Sequence, residues 1–303
     1  MAIEVEIWRN DIVEALYKDN GFLRRCFNAD EFVLQGKVVH IPQAGTNSGS
    51  QKNRSSLPAT VNKRSDSDIT YALDEYTTDP VLIPNIDNLQ LSYNKRQSVI
   101  SNDIAGLNEL VAEWVLRSWS ATAGGSILRT TGAAVGATAP SGTGNRKKFV
   151  KEDLKRASVL MNKQNIPKTG RVALFPSDLL GYLQDDADLI KRDVGAELDL
   201  KNGIIMRLYG FEIMERSTTT LYTNAGTPVP KDPGASGAAT DNQTVQCWHP
   251  MSVEGALGMV NTFESLNDPL YYGDIFSFLM MYGGRIRRSD AKGVVSIVED
   301  ASA

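Results

Sequence analysis

The stretch QAGTNSGSQKNRSSLPATVNKRSDS, residues 43–67, is almost entirely polar and lies between two short apolar runs. Upstream of it, residues 32–34 and 38–41 have the β-branched and aromatic composition that is typical of strands. Downstream, every second residue of 69–73 is apolar, which is the period of a half-buried strand. The pattern predicts a hairpin whose long polar tip extends away from the body of the protein.

Such a hairpin needs support from outside itself. An isolated two-stranded hairpin is marginally stable in water, and a loop of more than about 15 residues without its own structure is uncommon unless it is functional or disordered. A neighbouring copy of the same chain is the simplest support. We therefore expect the hairpin to make contacts between subunits.

The composition predicts a folded protein without a dominant charge. Of 303 residues, 42% are hydrophobic, and the net charge is -4, which disfavours tight nucleic-acid binding as the main function. The N-terminal residues show no signal-peptide pattern, and the longest apolar run, residues 275–282, is far below the roughly 20 residues that span a bilayer. Cys26 and Cys247 are too isolated to indicate a disulfide framework or a thiolate metal site. We expect a soluble protein with both cysteines reduced.

Apolar periodicity predicts an α+β protein. Helices are expected over residues 8–20, 96–121 and 150–165, and a further helix is expected after Pro176. The second helix carries an apolar stripe and would be roughly 39 Å long at 1.5 Å per residue. Further strands are expected at these places: residues 172–175, 204–208, 211–214, 244–248, 271–282 and 293–298, with Gly283-Gly284 separating the last two. Residues 124–145 and 217–244, rich in small residues, are expected to be a connector and a surface loop.

The sequence offers little material for catalysis or metal binding. His249 and Cys247 could be a base and a nucleophile, but no orienting carboxylate is indicated, so ordinary packing is favoured. The acidic cluster Asp185, Asp186, Asp188 and Asp193 does not have the spacing of a calcium loop and is interpreted as a solvated helix end. We predict no enzyme activity and no cofactor.

Three groups of basic residues are the best candidates for contacts with other subunits. Lys52, Arg54, Lys63 and Arg64 lie on the predicted polar tip, where they would meet acidic partners. A second patch contains Arg285, Arg287 and Arg288, and a third comprises Arg146-Lys147-Lys148. Base stacking on nucleic acid would require interleaved aromatic residues, of which only Phe149 is nearby. Intersubunit pairing is favoured, and solvated faces remain the competing interpretation.

The order of these parts resembles the tailed-bacteriophage major capsid proteins with the HK97-type fold. The resemblance rests on RVALFPSD at 171–178 followed by a helix containing LQDD at 183–186, and on GFEI at 210–213. Near the end, YGD at 272–274 and RRSDAKGV at 287–294 are similar to the late pattern of the family. The resemblance covers most of the chain.

The resemblance implies a domain organisation. It implies an N-arm at residues 1–29, an extended E-loop at 30–82, a peripheral domain with the long spine helix at 83–170 and 260–303, and an axial domain at 171–259 with a surface loop at 217–244. Some relatives carry an N-terminal scaffolding region of about a hundred residues. Because the first expected helix begins close to Met1, we expect either a separate scaffolding protein or assembly without one. Some relatives also form a covalent cross-link from an E-loop lysine. Lys52 and Lys63 lie on that loop, but no acceptor is indicated and noncovalent locking is expected.

The function implied is that of a coat protein. The chain would assemble into hexamers and pentamers of an icosahedral head that encloses double-stranded DNA without sequence-specific contact. Implied partners are further copies of the chain, a portal, and scaffolding or decoration proteins, with no membrane. The implied location is the virion, and the host cytoplasm during assembly. Two alternatives stay open, an encapsulin-like nanocompartment shell and a hydrolase dependent on His249.

Overall fold

A computed structural model describes residues 18–34, 37–45, 49–55, 57–59, 61, 63–84, 95–185 and 206–301. The expected helix at residues 8–20 falls almost wholly outside the described residues, as do Asp186, Asp188 and Asp193 of the acidic cluster. Within the described part of the chain, no helix is both long and apolar enough to cross a membrane.

The described residues form helices and strands in a mixed order, as the sequence predicts. The helices are α1 (Lys95–Ser118), α2 (Lys151–Lys163) and α3 (Ser177–Gln184). The strands are β1 (Phe27–Asn28), β2 (Val33–Leu34), β3 (Val38–Gln43), β4 (Ser67–Ala72), β5 (Asp74–Thr77), β6 (Val81–Pro84), β7 (Ile127–Arg129), β8 (Ala134–Gly136), β9 (Asn145–Lys147), β10 (Arg171–Pro176), β11 (Met206–Leu208), β12 (Phe211–Arg216), β13 (Thr244–Trp248), β14 (Val253–Asp268), β15 (Gly273–Ile286) and β16 (Val294–Val298).

A six-stranded sheet in the order β11-β12-β10-β13-β16-β7 forms the larger core. Strand β10 is buried along its whole length. Its side chains alternate between the two faces of the sheet because successive residues of a strand point in opposite directions. Val172 and Leu174 pack in the cluster that includes residues of α1. Ala173 and Phe175 pack in the cluster that includes residues of α2 and α3. The sheet is therefore covered by helices on both faces.

Helix α1 confirms the expected long helix but ends at Ser118, three residues before the expected end. Its 24 residues span about 36 Å. Leu107, Val111 and Val115 are buried, as the apolar stripe predicts. Ile104 and Trp114 were expected on the same stripe but are 38% and 37% exposed. The buried face of the helix is thus rotated relative to the expected apolar stripe. It includes Leu116 and is continued by Trp119.

A second sheet is built on a long hairpin of β14 and β15, with β1 beside β14 and with β5 and β6 beside β15. The expectation of a strand at residues 271–282 is correct for its larger part, since β15 covers 273–286. Strand β14 was not expected, although its 16 residues extend about 53 Å. Its sequence, VEGALGMVNTFESLND, lacks a regular alternation, and it is stabilised by pairing with β15.

The predicted hairpin is confirmed. Strand β3 pairs antiparallel with β4, from Val38 opposite Ala72 to Gln43 opposite Ser67, and β2 pairs with β3. Ile69 and Tyr71 are half-buried while their neighbours in β4 are exposed, which is the expected alternation. We call residues 33–72 the arm and residues 44–66 the arm tip.

Residues 124–145 are not the unstructured connector that the sequence suggests. Strand β7 pairs in parallel with β16 at the edge of the large sheet, and β8 pairs with β9. Three-residue strands are too short to show a period, so the sequence carries little signal for them. The loop at 217–244 is at the surface but is anchored by buried residues, among them Tyr222, Asp241 and Asn242.

The expected division into domains stays a prediction. Strands β7 and β16 and helix α2 were expected in the peripheral domain, yet they belong to the layers of the large sheet together with β10 and β13. Strand β14 runs across the expected boundary at residue 259. These contacts are long-range in sequence, so local patterns do not reveal them.

Candidate assembly surfaces

The arm tip presents charge and apolar side chains to solvent. Lys52, Arg54 and Lys63 are exposed and form no ion pair with any residue that the structure describes. Arg64 is also exposed, but its guanidinium binds the carboxylate of Asp66 at 2.7 Å. This hydrogen bond lowers the pKa of Asp66 from its ordinary value. Three of the four basic residues predicted on the tip therefore have no ion-pair partner in the described part of the chain.

Two apolar side chains interrupt the polar tip. Leu57 is 82% exposed and Val61 is 95% exposed. A single exposed apolar residue is ordinary on a protein surface. Leu57 and Val61 lie within a few residues of Lys52, Arg54 and Lys63 in the chain, and a mixture of apolar and charged groups is also found where one protein contacts another.

The root of the arm is held by the second basic patch. Arg285 donates from Nη1 to the carbonyl oxygen of Thr70 at 2.9 Å. Arg287 donates from Nε to the carboxylate of Glu254 at 3.0 Å, and its guanidinium lies 3.9 Å from the centre of the Phe27 ring. Arg285 and Arg287, predicted as intersubunit residues, therefore have partners within their own chain. Their role between subunits stays a prediction.

Gly283 and Gly284 lie inside β15 rather than between strands, which corrects the sequence interpretation. A Cβ atom at position 283 would come within 2.7 Å of the side chain of Leu73, which directly follows the arm, and within 3.1 Å of Tyr71 in the arm. A Cβ atom at position 284 would come within 3.0 Å of Val115 in α1. The pair of glycines lets the arm and the long helix approach β15 closely, and glycine in a strand is the available sequence signal for such an approach.

The far half of the β14–β15 hairpin is an apolar surface that the sequence interpretation missed. Phe263 and Leu266 are about half exposed, and Leu270 and Tyr272 at the turn are 81% and 80% exposed. Among the described strands, the outer edge of β14 pairs with β1 at Glu254 and Gly255 only. A long edge strand with exposed apolar side chains is a site for association with another chain. The sequence signal for this surface is the apolar run LYY at residues 270–272.

The possible catalytic residues are placed unfavourably for catalysis. Cys247 is fully buried, and burial raises the pKa of its thiol, so the reactive thiolate is disfavoured. His249 uses Nδ1 to accept a hydrogen bond from the backbone N–H of Met251 at 3.2 Å, and burial lowers its pKa. Within the described ranges, no group of three or more His, Cys, Asp or Glu side chains is arranged to hold a metal ion.

Arg146, expected on a basic surface patch, is instead buried. Its guanidinium donates to the Oδ1 atom of Asn242 at 2.6 Å and to the carbonyl oxygen of Ala239 at 3.1 Å. Lys147 pairs with Asp300 at 2.8 Å. The patch therefore stabilises the loop at 217–244 and the C-terminal segment, and a run of cations in the sequence does not reveal which of them are buried.

No protein-family model and no curated protein matches the chain. Solved structures match it over nearly its whole length. A structure from Mycobacterium phage Che8 has a TM-score of 0.66 and 17% identity, covering 98% of each chain. The capsid of cyanophage P-SCSP1u has a TM-score of 0.69 and 17% identity, covering 97% of this chain and 92% of its own. The capsid of Ralstonia phage GP4 has a TM-score of 0.69 and 11% identity, covering 99% and 96%.

Similarity at such low identity concerns the fold. The three alignments cover at least 97% of this chain and at least 92% of the matched chains. The chain therefore has the fold of tailed-phage capsid proteins.

Proposed function

We propose that this chain is the major capsid protein of a tailed phage and that it assembles into the shell of the phage head. The observation that carries the proposal is the full-length match to phage capsid structures. The projecting arm and the exposed apolar hairpin support it, because both are surfaces that a lone subunit leaves without a partner. The function lies in the interfaces, and no catalytic step is required.

In this proposal the shell has the HK97-type architecture, with pentamers and hexamers built from one sequence. The arm is the E-loop, α1 is the spine of a peripheral domain, and the large sheet belongs to an axial domain facing the centre of each ring. Heterologous contacts close into rings when the rotation between subunits allows it. Modest flexing of the arm would let the same contacts form in both kinds of ring.

The arm tip is proposed to lie across the adjacent subunit. Lys52, Arg54 and Lys63 would pair with acidic groups there, and Leu57 and Val61 would add apolar burial. The ion pair of Arg64 with Asp66 would stabilise the conformation of the tip. A specific interface buries roughly 1,600 Å² in total, so the tip would be one part of a larger contact.

Apart from further copies of this chain, the proposed partners are a portal protein and scaffolding or decoration proteins. The packaged material would be double-stranded DNA, bound without sequence-specific contacts. A net charge of -4 suits an inner wall that does not hold DNA tightly. The protein would be in the host cytoplasm during assembly and then in the virion. The phage capsid matches favour this proposal over an encapsulin-like compartment.

Deleting residues 45–66 tests the proposed role of the arm tip. These residues lie beyond or at the very end of the β3–β4 pairing, so we expect the subunit to fold and to remain soluble. We expect shells to be absent from negative-stain micrographs of the variant, while the full chain forms them. Circular dichroism and resistance to trypsin would report the folding of the subunit.

A replacement control separates tip chemistry from loop length. In the control, residues 49–63 are exchanged for glycine and serine, which keeps the loop but removes its cations and apolar side chains. We expect this control to fail in assembly as the deletion does. Shells of normal size and yield from the deletion would refute the proposed role.

A further inference from the structure

One side of α1 carries apolar side chains that the described residues leave partly uncovered. Leu110 is 41% exposed and Trp114 is 37% exposed. Val99, Asp103 and Gly106, which are half-buried, lie on the same side, since all five fall within about 80° of one another around a helix of 3.6 residues per turn. We call these five residues the open face of α1.

The N-terminal part of the described chain runs beside α1. Phe22 is buried against Trp119, which directly follows the helix, and their ring centres are 6.0 Å apart. Four residues earlier in the chain, Lys18 forms ion pairs with Glu109, at 3.1 Å, and with Glu113. Followed towards its start, the chain therefore runs from the end of α1 back along the helix.

This stretch is held next to the open face. The Oδ1 atom of Asn20 accepts a hydrogen bond from Nη2 of Arg216 at 3.3 Å, and Arg216 is itself 2% exposed. The two glutamates that bind Lys18 directly precede Leu110 and Trp114 in the sequence, so they lie about 100° around the helix from those residues. The segment that ends at Lys18 therefore adjoins the open face.

Residues 1–17 lie outside the described residues, and their sequence suits this face. Trp8, Ile12, Ala15 and Leu16 form the apolar stripe of the expected helix. An isolated helix shorter than about 12 residues is marginal in water, so such a helix needs a surface to pack on. Residues 8–17 would extend about 15 Å as a helix, which is also the length of α1 between residues 99 and 109.

The ion pairs of Lys18 define the register of such a helix. They are centred on residue 111 of α1, so a parallel helix places each residue beside the one about 93 positions later. Leu16 then lies beside Leu110. Arg9, the only lysine or arginine of residues 1–17, lies beside Asp103. Burial raises the pKa of Asp103, and no cation among the described residues lies at ion-pair distance from it.

We propose that residues 8–17 form a helix that packs in parallel on the open face of α1 in the same subunit, with Ile12 and Leu16 towards α1 and Arg9 near Asp103. The chain's own segment is the occupant because its attachment at Lys18 gives it a much higher effective concentration at this face than a second copy has. The proposal does not depend on the capsid function.

Thiol labelling of the full chain in its unassembled form tests the proposal. An added thiol at Leu110→Cys is compared with one at Val159→Cys on α2, where the native side chain is 45% exposed. Cys26 and Cys247 compete little, since burial raises the pKa of Cys26 to about 11 and also raises that of Cys247. We expect N-ethylmaleimide to label position 110 about tenfold more slowly than position 159, because the segment must open first. Similar rates overturn the proposal.

Two matched double variants identify the side of the segment that makes the contact. In the Leu110→Cys chain, Ile12→Glu with Leu16→Glu places two carboxylates on the apolar stripe, and we expect labelling about tenfold faster. Asn10→Glu with Val13→Glu adds the same charge away from the stripe and should leave the slow rate unchanged. Equal effects of the two double variants overturn the proposal.

Protein concentration separates the chain's own segment from that of a second copy. Within one subunit, the labelling rate at position 110 should not change with protein concentration, because opening is then a unimolecular step. A labelling rate that falls as the concentration rises shows that a second copy covers the face, and this outcome overturns the proposal.

Discussion

At the scale of single residues, the buried arginines carry more of the structure than the sequence suggests. Arg171 opens the RVALFPSD motif, and its exposed fraction is 0%. It donates to the carbonyl oxygens of Pro167 and Ile166 at 2.7 Å and 2.6 Å, and to Oδ1 of Asn162 at 2.8 Å. It thereby ties the end of α2 to the start of β10.

Arg171→Met should destabilise the protein strongly. The change keeps the bulk of the side chain but leaves the carbonyl oxygens of Ile166 and Pro167 without this donor, and we expect the free energy of unfolding to fall by about 2 kcal/mol. Chemical denaturation of the unassembled subunit measures it. The control Arg207→Met removes an exposed arginine that pairs with Glu212 at 3.3 Å, for which we expect a change below about 1 kcal/mol. Equal effects of the two changes would contradict the role of Arg171.

Glu299 is a buried carboxyl group whose pKa is raised above its ordinary value by burial. It accepts hydrogen bonds from the Thr138 hydroxyl at 2.7 Å and from the backbone N–H of Gln243 at 2.9 Å. Because the folded state holds the proton more tightly, the stabilising contribution of this group is complete below the ordinary pKa of glutamate. It is lost as the pH rises through the raised pKa.

Glu299→Gln should therefore change how stability depends on pH. The free energy of unfolding of the variant minus that of the parent chain should be more positive at pH 7 than at pH 4, because the variant lacks the group that loses its proton. Denaturation curves at the two pH values measure this difference. Glu215→Gln, at an exposed position, is the matched control and should show a smaller dependence. A difference that falls between pH 4 and pH 7 would show that the sign is wrong.

At the scale of elements, the packing of α1 on β15 depends on a glycine in the strand, Gly284. Gly284 faces Val115 and Ser118 of α1 and Trp119, which directly follows the helix. An added Cβ would lie 3.0 to 3.2 Å from these three side chains. Trp119 is held there because its Nε1 donates to the carbonyl oxygen of Glu254 at 3.0 Å. The helix and the hairpin therefore have little room to move apart locally.

Two glycine-to-alanine changes should have opposite signs. Gly284→Ala should lower the free energy of unfolding by about 1 to 3 kcal/mol, because it overpacks a buried contact. Gly181→Ala in α3 should raise it by about 0.5 to 1 kcal/mol, since an added Cβ there has no neighbour within 4 Å and alanine favours the helix. Thermal unfolding of both variants beside the parent chain checks the signs. A stabilised Gly284→Ala would contradict the close packing of α1.

At the scale of the whole molecule, the charge of the arm tip and the charge of the chain have opposite signs. The chain carries a net charge of -4, while Lys52, Arg54 and Lys63 extend into solvent without partners among the described residues. Identical subunits can therefore attract one another through the tip. Exposed ion pairs are screened by salt, with a Debye length of about 10 Å at 0.1 M.

The triple change of Lys52, Arg54 and Lys63 to Glu should abolish assembly, because the tip would repel an acidic neighbour. The same three positions changed to Gln should give an intermediate yield, and raising the salt concentration should lower the yield of the parent chain more than that of the Gln variant. Size-exclusion chromatography and light scattering measure the fraction in shells. Assembly that is unaffected by charge reversal would show that the cations are only solvated.

The sequence by itself determined the arm, helices α1 to α3 and strands β3, β4, β10, β12, β13 and β16, because each has a local period or a clear start and stop. Tertiary structure alone decided the pairing of β14 with β15, the place of β7 in the large sheet and the burial of Arg146, Arg171 and Arg216. Sequence showed those arginines as charges but not as buried donors. The physical reason is that pairing and burial join residues far apart in the chain, and local propensity carries no record of those distant partners.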